Sequence, residues 1–162
     1  MIPQYNDRLF PTRHGAAVSM PEIHRFALVS FTPDQMFELV RDVASYPEFL
    51  PWVRTAEVHE EDGQRQLATL EVRIAGIGQR FTTENQLDRP QSLAMRLHQG
   101  NFEDLSGLWS FKPLGDIGTR VSLDLRFALP GSVLLLPFKK GFGRMADRMV
   151  DDFCRRAEVV HG

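Results

Sequence analysis

The chain has 162 residues, of which 43% are hydrophobic and 25% are charged, and this balance is typical of one globular domain. Its formal net charge of −2 supplies no overall positive field for nucleic acid, so DNA is not an expected partner. The single cysteine, Cys154, excludes a disulfide within the chain, and no apolar run reaches the ~18 residues of a membrane-spanning helix.

Residues 1–19 differ from the rest of the chain because they show no hydrophobic periodicity and contain Pro3 and Pro11. They also lack the apolar stretch of a secretory signal. We interpret them as a disordered extension or as the result of a start codon assigned too early, with Met20 as the real start. The domain itself is expected to span residues 20–162.

The first ordered elements are predicted to be a strand and a short helix. Apolar residues alternate along Glu22–Val29, which is typical of a strand. Thr32 is a suitable N-cap, and Gln35 completes a capping box with it. Pro47 is expected to end this helix, and a short helical turn is expected at residues 48–50.

Six further strands joined by short turns are predicted next. Because consecutive strands with short connections pair with each other, they should form an antiparallel meander with one apolar face that needs a cover. The predicted strands are residues 52–60, 66–75, 79–87, 93–97, 105–113 and 120–129.

A long C-terminal helix is predicted to provide that cover. After Gly131 the hydrophobic period changes from 2 to 3.6 residues, as Phe138, Phe142, Met145 and Met149 show. No other predicted element is long enough to close over the sheet. A sheet that curls around one helix leaves an interior where an apolar ligand could bind.

Motifs of catalysis and metal binding are missing from the sequence. It contains no GxGxxG, P-loop, CxxC or HExxH pattern, and Cys154 has no histidine near it in sequence. His59 lies beside three acidic residues, and we interpret this group as a solvated strand end and turn. We therefore expect no catalytic residue, no metal and no required cofactor.

Four segments resemble one known family. The strings DVASYPEFLP (residues 42–51), FTTEN (81–85) and LSGLWSFKPL (105–114), followed by the helix at 142–157, resemble the START-domain coenzyme Q-binding proteins. These belong to the polyketide cyclase/dehydrase and lipid transport superfamily, which also includes ribosome association toxins of the RatA type. The resemblance covers residues 20–160 and is specific through the joint order and spacing of short motifs.

The resemblance implies an α+β helix-grip fold (START or birch-pollen-allergen-like), with about seven antiparallel strands curved around a long C-terminal helix and two short helices after the first strand. It also implies a hydrophobic tunnel. In one branch the tunnel binds ubiquinone or a related polyprenyl lipid in support of respiratory electron transport. In the other, the protein binds the large ribosomal subunit and blocks subunit association. A cyclase or dehydrase is the third alternative, and the motifs leave the choice open.

The wall of the predicted cavity should be formed by inward-facing apolar residues. Gly107 would leave an inward position empty two residues before Trp109, which makes room for a ligand or permits a bend. Ordinary core packing is the competing interpretation for every one of these side chains. The predicted wall residues are Phe49, Pro51, Trp52, Val72, Phe81, Met95, Trp109, Phe111, Leu123, Leu125, Phe138, Phe142, Met145 and Met149.

Two polar residues lie among these apolar strands. Asn85 or Arg73 is a candidate hydrogen-bonding partner for a quinone carbonyl, and the alternative places both on the solvated outer face of the sheet. Only the first arrangement would give the ligand a polar contact.

The segment before the long helix is a candidate membrane contact. Leu134, Leu135 and Leu136 would enter the bilayer interface, and Lys139 and Lys140 would meet anionic headgroups. In the alternative, the leucines cap the sheet and the lysines are solvated. We expect a cytoplasmic protein, which would be loosely associated with the inner membrane if it carries a lipid.

Overall fold

The computed structural model describes residues 21–162, and the interpreted extension at residues 1–19 lies outside the described residues. In chain order the elements are β1 (Glu22–Val29), α1 (Pro33–Arg41), a 3₁₀ helix (Val43–Glu48), β2 (Val53–Glu61), β3 (Arg65–Ile74), β4 (Ile77–Asp88), β5 (Ser92–Gly100), β6 (Asp104–Pro113), β7 (Thr119–Ala128), a second 3₁₀ helix (Val133–Leu135) and α2 (Leu136–His161).

The predicted capping box begins α1. The Gln35 backbone N–H donates to Thr32 Oγ1 (3.2 Å), and the Thr32 backbone N–H donates to Gln35 Oε1 (2.9 Å). Both groups would otherwise be unsatisfied at a helix start.

The predicted helical turn at residues 48–50 is wrong in position, because the 3₁₀ helix occupies Val43–Glu48 and includes Pro47. Tyr46 is buried in this segment, and its hydroxyl donates to the Val40 carbonyl. This contact with α1 holds the chain in a tight turn where the proline rule alone predicts a break.

The seven strands form one antiparallel sheet in the order β1-β7-β6-β5-β4-β3-β2. β2 to β7 are a continuous meander, and β1 pairs with the last strand of the meander. The β3–β4 hairpin turns at Ala75 and Gly76, whose positive φ angles of 52° and 77° match the twist of the flanking strands. The predicted meander is confirmed.

One face of the sheet packs against α2 and α1 and forms the core of the protein. Side chains alternate along β7, where Val121, Leu123, Leu125 and Phe127 are buried. From α2, Phe153 contacts the sheet at Trp109, with ring centroids 5.0 Å apart. The structure therefore confirms the helix-grip architecture.

Two glycines provide a matched test of this packing. A Cβ on Gly118 would lie 2.0 Å from the Val29 carbonyl oxygen, where the end of β1 meets the start of β7. A Cβ on Gly131 would meet nothing within 4 Å. Since backbone cannot move aside as a flexible side chain can, we expect Gly118→Ala to lower the free energy of unfolding by about 3 kcal/mol in urea denaturation. Equal stability of Gly118→Ala and Gly131→Ala would contradict the β1–β7 contact.

Candidate functional site

The predicted wall residues fall into two groups by exposure. Most lie on the inner face of the sheet or on the inner side of α2 and are almost fully buried. This group contains Val72, Phe81, Trp109, Phe111, Leu123, Leu125, Phe138, Phe142 and Met145. The others keep accessible surface: Pro51 is exposed, and Phe49, Trp52, Met95 and Met149 are half-buried.

The buried group is held together by aromatic contacts. The rings of Trp109 and Phe111 stack at 6.4 Å, and Trp109 packs edge-on against Phe153. At the other end of α2, the Phe142 ring meets Phe127 at 4.7 Å. A side chain that lines an open cavity keeps accessible surface, whereas these side chains keep almost none. Contacts among the aromatic rings therefore fill this part of the grip.

Two aromatic residues complete this cluster although they were not among the predicted wall residues. Phe153 lies four residues after Met149, so its helical spacing was a signal that could have identified it. Phe102 lies in the β5–β6 loop and packs against Phe81 (5.3 Å) and Phe142 (5.4 Å). No sequence periodicity marks a loop residue, so Phe102 was not predictable in this way.

The centre of the inner face contains a gap and a flexible side chain that fills it. Met95 on β5 pairs with Gly107 on β6, and the Met95 Cε atom lies 2.5 Å from the position of a Cβ on Gly107. Gly107 places no side chain on the inner face, but the space it was predicted to leave is filled by Met95 and by Leu125, whose Cδ1 atom lies 3.0 Å from the same position. Met95 nevertheless remains half-buried, as does Leu97 two residues on, although β5 is an interior strand. Accessible surface therefore reaches the middle of the sheet at these two residues.

Asn85 lies next to Met95, and the alternative that placed it on the solvated outer face is wrong. It alternates along β4 in phase with Phe81 and is 3% exposed. Its register partners on the two neighbouring strands are Met95 and Gln66, so these three side chains share the inner face. Arg73, in contrast, is exposed on the other face.

A chain of amide groups fixes the orientation of Asn85. The Arg41 carbonyl can only accept, so Gln66 donates Nε2–H to it (2.8 Å) and presents Oε1 to Asn85. Asn85 must then donate Nδ2–H to that oxygen (2.9 Å). Asn85 Oδ1 is left buried without a hydrogen-bond partner among the described residues. This arrangement creates an unsatisfied acceptor beside Met95.

The indole Nε1–H of Trp52 is a second buried polar group without a partner in the described part of the chain. Trp52 precedes β2, and its ring packs against the hydrophobic core while part of it stays exposed. A buried donor in this position costs free energy unless a ligand or water accepts its hydrogen bond.

The buried polar side chains of the described residues are amides and hydroxyls: Gln66, Thr69, Thr83, Asn85, Ser106 and Thr119. No carboxylate or histidine is among them. Burial, with a smaller contribution from Asp42, raises the pKa of the Tyr46 phenol, so this buried group stays protonated. The inner face between residues 21 and 162 thus contains no group poised for proton transfer near neutral pH.

In the segment between β7 and α2, most of the apolar side chains are exposed and do not cap the sheet. Val133, Leu134 and Leu136 are 86%, 83% and 45% exposed, and we call these three residues the apolar tip. Leu135 is half-buried. The capping interpretation is therefore wrong for Leu134 and Leu136.

The surface around the apolar tip is basic and indented. Lys139 and Lys140 are exposed, and neither forms an ion pair within residues 21–162. A cleft of about 270 Å³ lies behind the tip and is lined by residues of the segment from Leu129 to Lys139.

The described residues contain neither a cluster of metal ligands nor a helix that could span a membrane. No group of three or more histidine, cysteine or acidic side chains is arranged to hold a metal ion. None of the described helices is both long and apolar enough to cross a membrane.

The architecture and the inner face can now be compared with known proteins. The model of one family, described as polyketide cyclase / dehydrase and lipid transport, matches residues 29–154. The chain belongs to this family. It is also 43% identical over 143 residues to the ribosome association toxin RatA of Vibrio cholerae, across 88% of this chain and 99% of that protein. The resemblance inferred from the motifs is thereby confirmed.

The chain is also similar to a coenzyme Q-binding protein and to a protein of known structure. The coenzyme Q-binding protein COQ10 of Drosophila melanogaster is 31% identical over 110 residues, which span 67% of this chain and 46% of that protein. The solution structure of the 18 kDa protein CC1736 from Caulobacter crescentus is 31% identical, with a TM-score of 0.69, and covers 88% of this chain and 99% of that one. The structural comparison shows that CC1736 has the same fold.

Cys154 offers a pH test of how closely α2 is packed. Burial, followed by the charges of Asp151 and Glu158, raises the pKa of its thiol to about 11. Since only the thiolate reacts, the rate of alkylation by iodoacetamide should rise steadily with pH and still be rising at about pH 10. A plateau near the ordinary thiol pKa of about 8.5, as expected for the urea-unfolded protein, would contradict this packing.

Proposed function

We propose that this protein binds a polyprenyl lipid, ubiquinone or a close relative, between the inner face of the sheet and α2. The observation that carries the proposal is the combination of an accessible Met95 with the unpartnered Asn85 Oδ1 beside it. Leaving a buried acceptor unsatisfied costs about 1–3 kcal/mol, and a ligand that supplies a donor recovers this free energy. The lipid transport description of the family and the name of the COQ10 relative support the same ligand class.

Met95 is the side chain that would move to admit the ligand. It is unbranched, it fills the space at Gly107 together with Leu125, and its rotation would free the space next to Asn85. Methionine adopts alternative rotamers at low cost, so it can line the site with and without ligand. The tail would then follow the apolar surface under α2, where Met149 is half-buried.

The chemistry of Asn85 favours the reduced form of the headgroup. A quinone offers only acceptor oxygens, whereas a hydroquinone offers hydroxyl groups that donate. Because the unpartnered atom of Asn85 is an oxygen, it pairs with a hydroxyl and not with a carbonyl. From the sequence, the Asn85 amide was a candidate donor to a quinone carbonyl. In the proposed arrangement, a hydroquinone hydroxyl donates to the Asn85 amide oxygen instead.

A binding role agrees with the composition of the inner face. The buried polar groups of residues 21–162 are amides and hydroxyls with no acid or base among them, which favours holding a ligand over a cyclase or dehydrase reaction. The proposed function requires no cofactor beyond the bound lipid.

The proposal is tested by titrating the purified protein with short-chain ubiquinol and, separately, with the same ubiquinone, while following tryptophan fluorescence under anaerobic conditions. We expect the reduced form to bind about tenfold more tightly, because one hydrogen bond to a buried acceptor contributes about 1.4 kcal/mol. Asn85→Leu should abolish this difference between the two forms.

Thr83→Val is the matched control, since Thr83 lies two residues from Asn85 on the same face of β4. It should keep the preference for the reduced form. Failure of both forms to bind would contradict the proposed ligand class. Equal binding of the two forms would contradict the role of Asn85.

Ribosome binding is a second candidate, favoured by the 43% identity to a protein named ribosome association toxin across 99% of that protein. If this chain shares that activity, its overproduction should cause free ribosomal subunits to accumulate in sucrose gradients at the expense of joined ribosomes. An unchanged gradient at high protein level would contradict it. Asn85→Leu separates the two candidates, because a surface interaction with the large subunit does not require the buried amide.

A further inference from the structure

The apolar tip is a hydrophobic surface that the fold does not use. Val133 and Leu134 are more exposed than any other large apolar side chain of the described residues. They lie in the turn between β7 and α2, and Leu136 extends the same surface into the first turn of the helix. Three aliphatic side chains together in water favour a partner that removes them from it.

The charged side chains in the first turns of α2 are all positive. Lys139 and Lys140 follow it in the first turns of α2, and Arg144 is one turn further along. All three are exposed, and none of them pairs with an acidic group within residues 21–162. The first turn of α2 contains no acidic residue, and no side chain caps its N-terminus. The helix dipole therefore adds to the positive potential at this end.

This pairing of aliphatic and basic groups fits one partner better than others. An RNA surface would use the cations but gains nothing from valine and leucine, which neither stack on bases nor form hydrogen bonds. A bilayer with anionic headgroups uses both, since the aliphatic side chains enter the interface and the lysines meet the phosphates.

We propose that the apolar tip, together with Lys139 and Lys140, docks this protein on a membrane that contains anionic phospholipid. The inference goes beyond ligand binding, and it gives the proposed lipid a route, since the cleft behind the tip adjoins the start of α2. Phe138 and Phe142, in the first two turns of the same helix, point into the core. Docking therefore places the start of α2 and the adjoining cleft against the bilayer, from which an apolar ligand would come.

The test is co-sedimentation of the full chain with two kinds of vesicle, phosphatidylcholine alone and phosphatidylcholine mixed with phosphatidylglycerol. The unaltered protein should bind the mixed vesicles and bind the neutral ones more weakly. Val133→Ser combined with Leu134→Ser should weaken binding to the mixed vesicles about tenfold or more. Lys139→Gln combined with Lys140→Gln should remove most of the preference for anionic vesicles, and added salt should do the same.

Matched controls come from exposed residues elsewhere. Ile117 is 80% exposed at the β6–β7 turn, and Ile117→Ser should bind vesicles as the unaltered protein does. Lys112 is exposed on β6, and Lys112→Gln should keep the preference for anionic vesicles. Circular dichroism of each variant establishes that it is folded.

Three results would overturn the proposal: no binding of the unaltered protein to mixed vesicles, equal binding of the serine double variant, or a loss with Ile117→Ser as large as with the tip variant. Loss of ribosome binding in the lysine variant, with vesicle binding intact, would assign the basic residues to RNA instead. The ubiquinol titration uses no vesicles, so vesicle binding without ubiquinol binding would refute the proposed ligand and leave the docking surface standing.

Discussion

The whole structure depends on how α2 covers the apolar face of the sheet. A seven-stranded sheet with one apolar face has no stable existence in water, and α2, at 26 residues, is the longest helix of the described chain. The cover is made chiefly by phenylalanine. Phe153 contacts Trp109, Tyr46 and Phe49 near the end of the helix, and Phe142 contacts Phe127 near its start. Aromatic contacts therefore close the grip at both ends.

The inner face also contains a row of residues that takes no part in this aromatic packing. Between the two aromatic clusters, the row of Gly107, Met95 and Asn85 combines a missing side chain, a flexible one and a polar one with an unused acceptor. Replacing well-packed aromatics would cost several kcal/mol each, whereas rotating a methionine costs little. In the proposed function, stability and binding are thus divided between different residues of the same inner face.

Periodicity was sufficient to predict the seven strands and the two α-helices, because strands and helices bury one face at fixed spacings, and the motifs then identified the family. The inward orientation of Asn85 could have been predicted from the sequence, since Asn85 alternates in phase with Phe81 and Leu87. The exposure of Leu134 and the contacts of Phe102 could not have been predicted. A single 3₁₀ turn and a loop are too short to show a periodicity that indicates which side a residue faces. The unsatisfied oxygen of Asn85 could not be predicted either. It depends on hydrogen bonds that link Asn85, Gln66 and the Arg41 carbonyl, and these three residues are distant in sequence.

The central claim is that a lipid headgroup reaches the middle of the inner face beside Met95. The most direct measurement is NMR of methionine methyl groups labelled with ¹³C, recorded as short-chain ubiquinol is added. The Met95 methyl resonance should shift strongly as Met95 leaves Gly107, while the resonance of Met36, a fully buried residue of α1, should stay in place. An unchanged Met95 resonance at saturating ubiquinol, or equal shifts at Met95 and Met36, would contradict the account.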